Sequence, residues 1–131
     1  MSDVWVEYRK ISQLPTCLGN ERLCITSDGR LYHSRNVCEC ELGELWSDGW
    51  HEIGRLGAEV RDQLAQVIFR SGLLELDASC WVDENVEGGK REELDVTIGK
   101  RTYHFLVQDN GPPEFRYVVK FLWGILLSPN I

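Results

Sequence analysis

The stretch "ELDVTIGKRTYHFLV" (93–107) constrains this chain more than any other. Two runs of alternating apolar and polar residues, rich in β-branched and aromatic side chains, flank Gly99-Lys100. Period-two alternation is the pattern of a half-buried strand. A Gly-X pair between two such runs suits a type II′ turn, whose twist matches that of the strands. The segment therefore reads as a hairpin closed by two residues. Leu94, Val96, Ile98, Tyr103 and Phe105 form its core face, and Asp95 stands opposite His104. One apolar face needs cover, and the rest of the chain is read for what supplies it.

A second hairpin signal lies in "ERLCITSDGRLYHSRN" (21–36), centred on Asp28-Gly29. With those two residues as the loop, Ser27 faces Arg30, Ile25 faces Tyr32, Cys24 faces His33 and Leu23 faces Ser34. Cross-strand partners share a face. Leu23, Ile25 and Tyr32 are thereby assigned to the core. Arg22, Cys24, Thr26, Leu31, His33 and Arg35 are assigned to the other side. Continued along the same strand, the alternation puts Cys38 and Cys40 with Tyr32 and turns Glu39 and Glu41 outward. "CECE" then reads as ordinary strand with cysteine as a small apolar residue.

"VWVEYRKI" (4–11) reads as an N-terminal strand. "GELWSDGWHEIGRLG" (43–57) reads as a loop, with a turn at Ser47-Asp48-Gly49. Residues 57–72 carry Val60, Leu64, Val67 and Ile68 at helical spacing, with Gly72 placed to end the helix. "LLEL" (73–76) turns back toward the core, and the polar, Gly-rich stretch 82–93 is a loop. Pro113 opens a closing helix over 114–127, with Phe115, Val118, Val119, Leu122, Ile125 and Leu126 on one stripe. The fold expected is α+β in one domain. It has a single antiparallel sheet built from two hairpins plus the N-terminal strand, with two helices packed on one face.

Composition narrows the function. The chain has 131 residues, 43% of them apolar, and a net charge of −7. A chain this acidic offers no cationic surface to release counterions from nucleic acid or an anionic membrane. It permits a protein partner with a basic surface and leaves a homodimer open. No export signal or membrane-length apolar run is read, so a cytoplasmic location with reduced thiols is expected.

The five cysteines include Cys17, Cys24, Cys38 and Cys40, but their spacing lacks the tight knuckle of structural zinc sites. No metal or other cofactor is expected. Cys24 beside His33, between Arg22 and Arg35, is the minimum for a reactive thiol. A cysteine-dependent enzyme or redox sensor is accordingly the alternative function. Asp95 with His104 reads as an ordinary cross-strand charge pair. Calcium-loop, phosphate-loop, G-x-S-x-G and H-E-x-x-H patterns are missing.

Trp46 and Trp50 bracket a turn, with Glu44, Asp48 and Glu52 nearby. They suit either a binding hot spot or a cap over an open end of the sheet. Tyr117 and Phe121 flank the core stripe of the last helix.

From about residue 56 to 127, the order is helix, "SGLLELDA", polar loop, "LDVTIGKRTYHFLV", and proline followed by a helix with "FLWGILL". This layout resembles emfourin-like proteins, small intracellular bacterial inhibitors of thermolysin-type metalloproteases, and related uncharacterised bacterial domains. The resemblance implies an inhibitor-like α+β domain and assigns no inhibitory residue. The function expected is a small, acidic, non-catalytic protein-binding module.

Overall fold

The computed structural model describes residues 3–12, 19–36, 46, 49–82, 90–108 and 111–127. In chain order the elements are β1 (Val4–Ser12), β2 (Glu21–Thr26), β3 (Arg30–Arg35), β4 (His51–Arg55) and α1 (Ala58–Arg70), then a 3-10 turn (Leu73–Glu75). β5 (Cys80–Trp81), β6 (Lys90–Ile98), β7 (Arg101–Gln108) and α2 (Pro113–Leu127) follow. The strands form one sheet in the order β4-β3-β2-β1-β6-β7-β5. The N-terminal strand lies at its centre, paired with β2 on one side and β6 on the other.

The sheet is mostly antiparallel, but not purely so as the sequence suggested. β5 pairs with β7 in parallel through Cys80 and Trp81. Two of the seven strands among the described residues carry no strand signature in the sequence. β5 is only two residues long, and β4 contains Gly54 and three charged or titratable side chains, so neither carries a periodic apolar signal.

The β6–β7 hairpin has the expected register. Ile98 pairs with Arg101 and Asp95 with His104 around Gly99, whose φ is 63°. The β2–β3 hairpin does not. Ile25 pairs with Leu31, Cys24 with Tyr32 and Leu23 with His33, one residue out of step with the two-residue loop. The loop is Ser27-Asp28-Gly29, with Gly29 at φ 90°. That is the three-residue geometry, in which glycine supplies the left-handed position. Thr26 fixes it. Its carbonyl accepts from Gly29 N at 2.9 Å, and its Oγ1 accepts from Arg30 N at 3.0 Å. A slip of one residue moves a strand's side chains to the opposite face. Leu31, assigned to the outside, is therefore core, and Tyr32, assigned to the core, is only half-buried on the other face.

The core joins Val6, Tyr8, Leu23, Ile25, Leu31, Leu94, Val96, Phe105 and Val107 of the sheet to Val60, Leu64 and Ile68 of α1 and Phe115, Val118, Val119, Leu122 and Ile125 of α2. α1 buries Val60, Leu64 and Ile68 of its expected stripe while Val67 is only partly buried, and α2 buries Phe115, Val118, Val119, Leu122 and Ile125. Ile98, Tyr103 and Leu126 were also expected there; they are partly buried and pack against the cluster. One carboxylate enters this interior. Glu92 is fully buried, accepts a 2.5 Å hydrogen bond from Tyr8, and has Arg116 Nη2 at 2.7 Å from Oε1. Trp123 of α2 packs edge-on against Tyr8, so the central strand and the last helix share one anchoring point.

Candidate functional site

The corrected register decides the fate of the cysteine–histidine pair. Cys24 shares a face with Tyr32, whereas His33 shares the opposite face with Leu23 and contacts Glu21 at 2.7 Å. The two are not brought together. Cys24 is fully buried, and burial, reinforced by the negative charge of Glu7 opposite it, pushes its thiol up to about 12. A nucleophilic cysteine requires the reverse, a thiolate stabilised near neutral pH. Cys17, Cys38 and Cys40, and with them the "CECE" reading, lie outside the described residues. Among the described residues, no group of three or more His, Cys, Asp and Glu side chains is placed to hold a metal ion.

The face of the sheet that carries Cys24 is strongly charged. Arg9, only 16% exposed, contacts Glu93 at 2.9 Å, Asp95 at 3.0 Å, and Glu7. Burial pulls the Arg9 guanidinium down, but the three carboxylates outweigh it and hold it above its usual range. Asp95 also contacts His104, the pair expected from the hairpin. These charges satisfy one another in a lattice of cross-strand pairs and, for Arg9 with Glu7, a pair along one strand.

Beside that lattice, the rings of Trp46 and Trp50 both contact Arg22. The guanidinium carbon lies 4.5 Å from the ring centre of Trp46 and 4.3 Å from that of Trp50. Both tryptophans are half-buried. Arg22 is drawn below its usual range by burial and by neighbouring Arg9, against the opposing pull of Glu7. A cation over an indole ring is an attractive arrangement whose strength grows as water is excluded. Both tryptophan rings thus contact a side chain of their own domain. Glu52 is exposed near Arg30, and Glu44 and Asp48 lie outside the described residues.

A second surface lies between the helices. Val60 and Gln63 of α1 and Tyr117, Lys120, Phe121, Gly124 and Ile125 of α2 line a hollow of about 430 Å³. A smaller hollow of about 190 Å³ adjoins it, bounded by Gln66, Val67 and Arg70 and sharing Gln63, Tyr117 and Phe121. The two make one continuous groove. Tyr117 is 55% exposed on its edge. An apolar concavity of this size with a few polar groups is the usual form of a binding site. Tyr117 and Phe121 were visible in sequence as flanking residues. Gln63, Lys120 and Gly124 were not, and the one signal for them was a glycine interrupting an apolar helical stripe.

No protein-family model matches the chain, and no curated protein matches it significantly. No helix among the described residues is long and apolar enough to cross a membrane.

Proposed function

We propose that this protein is a small non-catalytic binding module, and that its contact surface is the groove between α1 and α2. The reading takes both helices to lie over the apolar face of the sheet. Their outward faces then meet in a groove supported by a rigid layer beneath. The observation that carries the proposal is the exposed aromatic edge of that groove. Large apolar side chains left in water beside a preformed hollow mark surfaces that a partner covers. The tryptophan loop contributes less, because its rings are already engaged with Arg22. The net charge of −7 favours partners of overall basic charge at long range, and the lining of the groove itself decides which segment of such a partner enters it. The emfourin-like layout names one class to assay first, thermolysin-type metalloproteases.

The test is photo-crosslinking in the native host. A benzophenone side chain at position 117 should give a discrete protein adduct, and the same group at position 104, on the charged sheet face, should give none. Adducts from both positions, or from neither, would refute the assignment of the groove.

A further inference from the structure

Gly124 lies inside α2, three residues before its last residue, and is exposed. A Cβ added there would meet nothing within 4 Å. The helix therefore has room for alanine, and glycine at an interior position weakens a helix relative to alanine. Packing within the domain supplies no reason for it. The missing side chain does have one consequence: it lowers the wall of the groove that Gly124 lines, beside Phe121 and Ile125. A chain lying in the groove reaches the backbone of α2 at this point. Small residues serve this purpose wherever helices cross closely.

Charge decides which chain fits. In a protein of net charge −7, the charged residues lining the groove are both cations, Lys120 on α2 and Arg70 on α1. Neither is engaged in an ion pair among the described residues. A second copy of this protein docked through the same groove about a two-fold axis would set cations against cations, because such an interface opposes a patch to itself. The complement is an acidic segment with an apolar face.

We propose that the groove between α1 and α2 receives an amphipathic helix of a partner protein, apolar where it meets Tyr117, Phe121 and Gly124 and acidic where it passes Lys120 and Arg70. The inference rests on the binding-module reading and adds the chemistry of the occupant. Helix-in-groove recognition reads apolar anchors at i, i+3, i+4 and i+7. The charged flanks set orientation and discriminate against basic helices.

Two synthetic peptides of about 18 residues test it, both with leucine at the anchor positions, one with glutamate and one with lysine on the flanks. Each is titrated into the full-length isotope-labelled protein and followed by amide shifts. The acidic peptide should perturb Gln63, Tyr117, Phe121 and Gly124 and bind at least about tenfold more tightly than the basic one at about 150 mM salt, where the field of the distant carboxylates is screened. Lys120→Glu combined with Arg70→Glu should reverse that preference. Gly124→Ala should raise the melting temperature by about 2–6 °C while weakening the acidic peptide about tenfold or more. Equal affinities, shifts confined to other surfaces, or a Gly124→Ala protein that binds like wild type would overturn the proposal. A crosslinked partner at position 117 together with equal peptide affinities would overturn the acidic helix alone and leave the binding module standing.

Discussion

The hydroxyl of Tyr8 donates to Oε2 of Glu92 at 2.5 Å, joining two buried residues 84 positions apart in the chain. Arg116 of α2 closes on the other oxygen of the same carboxylate. Its Nη2 approaches off the line of a well-directed hydrogen bond, so the contact is an ion pair. A carboxylate inside a protein is tolerated only with such partners, and removing one leaves the other charge exposed to a low-dielectric interior.

Tyr8→Phe removes the donor and little else. Stability should fall by about 1–3 kcal/mol, the cost of leaving a buried acceptor unsatisfied. Urea unfolding of the variant measures it. A loss below about 0.5 kcal/mol would mean that Arg116 and Lys90, whose Nζ lies 3.7 Å from Oε1, are enough to hold Glu92.

Alkaline pH should destabilise the fold through two groups. The Cys24 thiol titrates at about 12 when folded, against about 8.5 when unfolded. Tyr8 is driven up by burial and by its bond to Glu92. Both folded values are raised. Their contribution is therefore complete below the unfolded values and is lost as pH rises through about 8.5–12 for Cys24 and above about 10 for Tyr8. Each group steepens the fall by about 1.4 kcal/mol per pH unit once its unfolded form ionises. Melting temperatures across pH 7–11 should drop accordingly, and Cys24→Ala should flatten the curve between about pH 8.5 and 10. The same burial predicts that Cys24 resists alkylation in the native protein while exposed Cys80 reacts, as peptide mapping would show.

The two registers of the first hairpin make opposite predictions at neighbouring residues. Leu31 is fully buried, so Leu31→Ala should cost about 2–5 kcal/mol. Tyr32 is half-buried on the charged face, and Tyr32→Ala should cost less than about 2 kcal/mol. Chemical denaturation of the pair settles the register. A larger loss at 32 than at 31 would restore the two-residue loop.

The tryptophan clamp is testable as a coupling. Trp50→Ala, Arg22→Ala and the double variant should show an interaction energy of about 0.5–2 kcal/mol. Trp50→Ala alone should lower stability by about 1–3 kcal/mol, less than a full core truncation because the ring is half-buried. Additive effects would show that the stacking carries no energy.

What the sequence determined alone is local. The 3.6-residue spacing of Val60, Leu64 and Ile68 and of Phe115, Val118, Val119, Leu122 and Ile125 sets which helix faces are buried. The Gly99-Lys100 pair sets the register of β6 and β7, because a two-residue loop with a left-handed first position leaves one pairing. Asp28-Gly29 does not have that force. Gly29 fits equally as the last residue of a three-residue loop, and the Oγ1 of Thr26 bonding to Arg30 N is a local side-chain-to-backbone bond with no periodic signature. That single step moved Leu31 into the core and parted Cys24 from His33. The central place of β1, the burial of Glu92 and the groove beside Gly124 were likewise decided only in three dimensions. Each depends on which segments distant in the chain become neighbours, and residue spacing encodes the face of an element without naming what will cover it.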